Sequence, residues 1–245
     1  MSNWLFDLGN TRLKCAPLHA DGSVGEVVAL AHEAPDLAAE LARALPARGV
    51  VAYVASVAAT ERKLKLLDAL TQRFERIAIA RTTRTFAGLR IAYANPDKLG
   101  VDRFLAMLGA LARKDGPWLL AGVGTALTID LLDRDGTHRG GRIAPSPALM
   151  REALHERAAQ LPATGGDYVE FAGDTETALA SGCEGAALAL IERSLREATT
   201  QLAGPPKLLL HGGGAAPLLA HLPAADFEPR LVLEGLARWA RVEAA

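Results

Sequence analysis

The stretch DLGNTRLK, residues 7–14, directly follows the apolar run WLF and leads into CAPL. The segments NWLFDLG and RLKCAPL read as two strands joined by a Gly-Asn-Thr turn. Such a turn can be a plain hairpin tip, or a place where a metal and a polyphosphate are held. Glycine lets a ligand approach the main chain, and consecutive backbone N–H groups at a turn form a concavity for anions. Placing Asp7 opposite Gly122 sets DLGNT against GVGTA, each between two apolar strands. That internal repeat is what duplication of an α/β unit leaves behind, and it predicts two hairpin tips facing one cleft between two halves.

The rest of the chain supports mixed strands and helices in each half. After GEVVALA, a third strand, PDLAAELARAL reads as a helix with Pro35 in its first turn. VVAYVAS is a short buried strand. TERKLKLLDALTQRF is an amphipathic helix, with Leu64, Leu67, Leu70 and Phe74 on one stripe and Thr60 as its cap. RIAIA and LRIAY are strands, NPDKLG is a loop, since proline disfavours helix at the residue before it, and VDRFLAMLGALARK is a helix. The pattern restarts near Asp115 to Pro117. WLLAGVG and ALTIDLLDRDG form a second hairpin closed by Asp135-Gly136, and a glycine pair follows at Gly140 and Gly141. PALMREALHERAAQL and TETALASGCEGAALALIERSLREATTQL are helices. PKLLLHGGGA is a strand running into a glycine turn, and RLVLEGLARWARV is a terminal helix.

Composition narrows the function. The 245 residues are 50% hydrophobic, enough for one large or two smaller cores, and the formal net charge is −1. A nucleic-acid binder carries a basic excess that is missing here. Cys15 and Cys183, the two cysteines, have neither zinc spacing nor the density of a disulfide scaffold, and read as buried thiols. The first residues lack the basic-then-apolar pattern of a signal peptide, and no apolar run approaches the ~20 residues of a membrane span. The expectation is a cytoplasmic protein.

Three places can carry chemistry. At the first tip, Asp7 is an oxygen ligand suited to Mg²⁺, directly or through water. Gly9, Asn10 and Thr11 can turn N–H and polar side-chain groups toward phosphate, and Lys14 adds an ammonium. Gly124 and Thr125 repeat the arrangement at the second tip. In YANPDKLGVDRF, Asp102 and Arg103 stand at a helix start. They read either as a helix-start aspartate with a solvated arginine or as a base beside an anion clamp. In the second case Arg103 and the helix dipole lower the Asp102 pKa. A weak base is tolerable in phosphoryl transfer, where the transition state is loose and the proton leaves late. GGRIAPS reads either as a loop before a helix or as a segment that brings backbone close to a substrate, and LLLHGGGA as a strand-to-helix turn able to cradle adenine or ribose. The six histidines lack metal-ligand spacing, and the chain contains no G-x-S-x-G, P-loop or strand-linked G-x-G-x-x-G motif.

The order and spacing of DLGNTRLK, NPDKLGVDR, GVGTALTID, GGRIAPSPALM, DTETALASG and HGGGA, over nearly the full chain, closely resemble type III pantothenate kinase. The resemblance implies an α/β duplicated actin-like fold shared with acetate and sugar kinases (ribonuclease H-like), two lobes around a nucleotide cleft. Residues 1–115 would form the first lobe and 116–245 the second, with the terminal helix able to pack back on the first. It implies ATP- and Mg²⁺-dependent phosphorylation of the primary hydroxyl of pantothenate, opening coenzyme A synthesis, by a homodimer whose substrate pocket lies near the subunit interface. It assigns Asp7, Leu8, Gly9, Asn10, Thr11, Arg12, Leu13 and Lys14 to the first phosphate loop, with Asp7 near Mg²⁺, and Gly124 and Thr125 to the second. Tyr93, Gly100, Val101, Asp102 and Arg103 would line the pantothenate site, Asp102 as proton acceptor, and Thr175 would contact substrate. The second loop of the family usually begins D-x-G-T, and its aspartate binds a monovalent cation, K⁺ or NH₄⁺. Gly122 stands at that position here, so weak or absent K⁺ dependence is expected. Ser146 stands where Pro-Gly is usual. Relatives described as transcription accessory factors leave a regulatory or metabolite-binding role as the alternative.

Overall fold

The hairpin at residues 7–14 forms in the computed structural model, which describes residues 2–31 and 37–243. Strand β1 (Asn3–Leu8) pairs antiparallel with β2 (Arg12–Leu18), and β2 with β3 (Val28–Ala31). Helix α1 (Leu37–Ala44) follows; the expected first-turn Pro35 lies outside the described residues. Next come β4 (Gly49–Ser56), α2 (Thr60–Thr71), β5 (Phe74–Ile79), the short strands β6 (Thr85–Phe86) and β7 (Leu89–Arg90), and α3 (Val101–Arg113). The strands β4 and β5 join β1 in parallel, giving a five-stranded sheet in the order β3-β2-β1-β4-β5.

The same order recurs in the second half. It contains β8 (Trp118–Val123), β9 (Ala126–Leu132), β10 (His138–Pro145), α4 (Pro147–Arg157), α5 (Thr175–Leu202), β11 (Lys207–His211), α6 (Ala216–Leu219) and β12 (Ala225–Phe227), before α7 (Leu231–Glu243) ends the chain. The second sheet runs β10-β9-β8-β11-β12, antiparallel through its first pairs and parallel through β8, β11 and β12. The repeat at DLGNT and GVGTA is therefore a repeat of whole sheets.

The chain divides into two compact units. One comprises Met1–Asp115, Asp135–Thr137 and Arg230–Ala245; the other comprises Gly116–Arg134 and His138–Pro229. Each has its own core. In the first, Phe6, Leu13, Cys15, Val54, Leu70 and Phe74 pack together. In the second, the β8 and β9 residues Leu119, Val123 and Ile129 meet Leu188 and Ile191 of α5. Both cysteines are buried and unbridged. The terminal helix α7 lies in the first unit, against α3. A side-chain carbon at Gly109 would stand 2.6 Å from Leu231 O, and one at Gly235 would collide with Leu105 O. Only glycine lets these helix backbones approach so closely. Arg113 and Glu234 close the same contact with an ion pair at 3.0 Å.

Several local expectations change. Helix α2 ends before Phe74, which opens β5, and its buried residues are Leu66 and Leu70, while Leu64 is 55% exposed. The face that meets the sheet is thus rotated from the expected stripe. Thr60 is the first helical residue, and Ala59 stands at the cap without a side-chain hydrogen bond. LRIAY contributes only Leu89 and Arg90 to a strand, in a small hairpin with Thr85–Phe86. NPDKLG contains a 3₁₀ turn at Pro96–Lys98, with the Asn95 side chain accepting from Asp97 N at 3.0 Å. GGRIAP, expected as loop, is most of strand β10. It lies at the sheet edge, where glycine and proline interrupt less, and a register shift between His138 and Gly140 absorbs the local irregularity.

Candidate functional site

In the first unit, the strand ends and one helix start bring the expected residues together. The β1–β2 turn is closed by Gly9 N donating to Arg12 O at 3.1 Å. Val57 N donates to Leu8 O at 3.1 Å, and the Arg62 guanidinium of α2 donates to Asn10 O at 2.6 Å, so the tip is braced from both sides. Asn10, Thr11 and Arg12 are exposed at the tip, whereas Leu8 and Leu13 are core residues. Asp7 and Lys14 are cross-strand partners in the antiparallel register, which places their side chains on one face of the sheet.

Asp102 is the second residue of α3, and its Oδ1 accepts from Arg103 N at 2.8 Å. A side-chain carbon at Gly100 would lie 2.5 Å from that oxygen, so the glycine leaves room for the carboxylate to fold over the helix start. Arg103 is 5% exposed rather than solvated. Its guanidinium donates to Tyr93 Oη at 3.3 Å and lies 5.8 Å from the centre of the Tyr93 ring. The surface-arginine reading of this residue is thereby excluded.

Electrostatics tie the two places into one cluster. Burial chiefly, and then the negative charge of Asp102, push the Asp7 carboxyl up from 3.8 to about 7; the Lys14 ammonium pulls it down by less. Two acids and one lysine thus share a partly desolvated space. Nothing in the sequence announced the Asp7–Asp102 interaction, because it depends on where β1 ends relative to the start of α3.

The second unit carries the other turn. Gly124 N donates to Ala126 O at 3.0 Å, and Gly124 and Thr125 are exposed. The HGGG turn after β11 lies on the same strand end: Gly214 N donates to Val123 O at 2.9 Å. Gly212 has φ +95, and any side chain there would run into Val123 O. Gly122 pairs with Thr128 on one side and His211 on the other. A side-chain carbon at 122 would stand 2.8 Å from both His211 Nε2 and Thr128 Oγ1. The space where a side chain at this position would begin is therefore filled by an imidazole and a hydroxyl. Ser146 is the buried cap of α4, its hydroxyl accepting from Leu149 N at 3.2 Å. Thr175 is exposed at the first residue of α5, next to Asp174, whose carboxylate accepts from Thr177 N at 2.8 Å. It belongs to the second unit, while Tyr93, Gly100, Val101, Asp102 and Arg103 belong to the first. The buried pair His138 and Asp130, 3.0 Å apart, lies among core strands.

Two five-stranded sheets of one order, each opening on a glycine hairpin, define the actin-like fold of sugar kinases and actins. Solved structures agree. A protein described as a 2-dehydro-3-deoxygalactonokinase from Sinorhizobium meliloti superposes with TM-score 0.62 at 15% identity, over 98% of this chain and 96% of that one. An archaeal actin homolog superposes with TM-score 0.51 at 10% identity, over 98% and 99%. The family profile described as type III pantothenate kinase matches residues 4–197. A type III pantothenate kinase of Stenotrophomonas maltophilia (strain K279a) is 60% identical over 240 residues, 98% of each chain. The chain belongs to the type III pantothenate kinase family.

Proposed function

We propose that the protein transfers the γ-phosphoryl group of ATP to the primary hydroxyl of pantothenate, giving 4'-phosphopantothenate and ADP, the first step of coenzyme A synthesis. The observation that carries this reading is the cluster of Asp7, Lys14 and Asp102 in the first unit, with Arg103 and Tyr93 held against each other beside it. Family membership supplies the acceptor. In the transfer, the acceptor oxygen attacks the γ-phosphorus in line, its bond to phosphorus forms as the bond to the β-bridging oxygen breaks, and ADP leaves. Asp102 orients the hydroxyl and takes its proton late, as a loose transition state requires. Arg103 and Tyr93, fixed together, bind the acceptor, and Thr175 contacts it. The N–H groups of Gly9 to Thr11 and of Gly124 and Thr125, with the Lys14 ammonium, hold phosphate oxygens.

The donor set fits Mg²⁺. Burial first and the charge of Asp102 second push the Asp7 carboxyl up to about 7, with one lysine as partial compensation, and a divalent cation stabilises the ionised carboxylates there. Bound through water to Asp7, Mg²⁺ would supply charge neutralisation on the phosphates. A monovalent cation finds no carboxylate at 122, where His211 and Thr128 fill the space, and this supports a K⁺-independent enzyme. Among the described residues no helix is long and apolar enough to cross a membrane. We take the protein to act as a cytoplasmic homodimer.

The test is a coupled ADP-release assay with Mg-ATP and a panel of pantothenate, pantetheine and sugars. Release that depends on pantothenate is the expected result. Release with a sugar alone, or binding of pantothenate without turnover, would remove the assignment.

A further inference from the structure

Helix α3 carries both Asp102 and Arg103, yet the residue at its cap offers no side chain to hold the helix start. Gly100 stands where serine, threonine, asparagine or aspartate would supply an acceptor. A side-chain carbon there would lie 2.5 Å from Asp102 Oδ1, so the position of the carboxylate excludes those residues. The entry to α3 is held instead from another part of the first unit.

Just past β5, Ala80 N donates to Val54 O at 2.8 Å, which ties the chain to the sheet. Two residues on, the half-buried Thr82 donates from its hydroxyl to Leu99 O at 2.9 Å. Leu99 is a core residue and directly precedes Gly100. Between these partners, residues 83–98 make an excursion that includes the β6–β7 hairpin, Tyr93 and the 3₁₀ turn. The Thr82–Leu99 bond closes the excursion at its base, and Ile91 N donating to Arg84 O at 3.0 Å closes it again further out. Tyr93 thus lies within the excursion, and Asp102 and Arg103 lie just past its return to the sheet. The neighbouring Thr83 has no such reach: its hydroxyl donates to Thr85 O at 3.2 Å, within the same exposed turn.

We propose that Thr82 is a positioning residue for the phosphoryl transfer: its hydroxyl, acting through Leu99 O, sets where α3 begins and so where the Asp102 carboxylate meets the acceptor hydroxyl. The proposal rests on the kinase reading. One hydrogen bond adds little to the stability of the whole chain, whereas the rate of a reaction between positioned groups is sensitive to displacements of about 1 Å. The loss of this bond is therefore felt in turnover more than in folding, and it is felt only while Asp102 is present to be positioned.

Steady-state kinetics with Mg-ATP and pantothenate, calorimetric titration of ADP and amide hydrogen exchange test it on the wild type, Thr82→Val, Thr82→Ser and Thr83→Val. Valine keeps the shape and removes the donor; serine keeps the donor. Expected is a kcat about tenfold lower in Thr82→Val, with kcat in Thr82→Ser and Thr83→Val and the Kd for ADP in all three at wild-type values. Added to Asp102→Asn, Thr82→Val should cost less than about twofold, because the two act on one step. The amides of Arg103 and Phe104, which donate to Asp102 Oδ1 and Gly100 O, should exchange faster in Thr82→Val alone. A wild-type kcat in Thr82→Val, or an undiminished loss on the Asp102→Asn background, would overturn the positioning role. Unchanged exchange in Thr82→Val, or a kcat loss shared by Thr82→Ser, would show that the hydroxyl is not the brace. Faster exchange in Thr82→Val together with a wild type that phosphorylates no pantothenate would refute the kinase reading and leave the brace standing.

Discussion

Replacing Asp7 by asparagine should stabilise the ligand-free protein, and the gain should grow with pH. The Asp7 carboxyl is pushed up from 3.8 to about 7, by burial first and by Asp102 second. A group whose pKa is higher when folded favours the native state at low pH, where both states hold the proton. That advantage drains away as pH rises from the unfolded value and is gone once the folded value is passed. Three units of displacement correspond to about 4 kcal/mol at full ionisation, an upper bound for a half-buried group. At pH 5 the unfolded chain has already ionised at this position and roughly one unit is lost. Between pH 5 and pH 8 about two more units follow, or ~2.5 kcal/mol. Asparagine keeps the shape and cannot ionise. Urea unfolding of wild type and Asp7→Asn at pH 5, 6, 7 and 8, without nucleotide or divalent cation, should give stability curves that separate by ~2–3 kcal/mol across that range. Titrations elsewhere are common to both proteins and cancel, so the difference belongs to the Asp7–Asp102 pair. Lys14→Met should move the midpoint of the separation above 7, since Lys14 lowers the Asp7 pKa. Parallel curves for wild type and Asp7→Asn would show that the two carboxylates do not meet in a desolvated space, and the cluster would have to be abandoned.

Asp102→Asn should lower kcat by about a hundredfold, at the small end for general-base catalysis, while leaving ADP affinity within a factor of two or three; near-normal turnover in a coupled assay would remove the base. Gly100→Ala places a carbon 2.5 Å from the present Asp102 Oδ1, so kcat should fall with nucleotide affinity kept, and an unchanged kcat would mean that the carboxylate position is unimportant. Thr175→Ala should raise the KM for pantothenate about fivefold, the value of one ordinary hydrogen bond, with no change in Tm because the side chain is exposed. Activity should be equal in K⁺ and in an inert bulky cation, and Gly122→Asp should lower Tm because His211 and Thr128 already occupy the space; a steep K⁺ requirement would refute the first of these.

Much of the fold could be read from the sequence because local chemistry decided it. The turns at Gly9, Gly124 and Gly212 were marked by glycine between apolar runs, and at Gly212 a positive φ and the nearness of Val123 O leave no room for a side chain. The helices at Val101–Arg113 and Leu231–Glu243 carried complete apolar faces. Order and spacing of the short motifs then identified the family. The segment GGRIAP misled because its glycines and proline disfavour a strand locally, while pairing with β9 at the sheet edge outweighs that preference. The α2 stripe misled because several leucines offered rival faces, and only contact with the sheet selected Leu66 and Leu70.

What the sequence determined by itself was the order of most elements and the candidate reactive side chains, since both follow from neighbours along the chain. What only the tertiary structure decided was which charges share a space. Folding pushes the Asp7 carboxyl up to about 7, because it excludes water first and brings Asp102 near second; Arg103 is buried against Tyr93; His211 fills the place beside Gly122. These are interactions through space between distant segments, and their strength depends on burial and dielectric surroundings that no stretch of sequence contains.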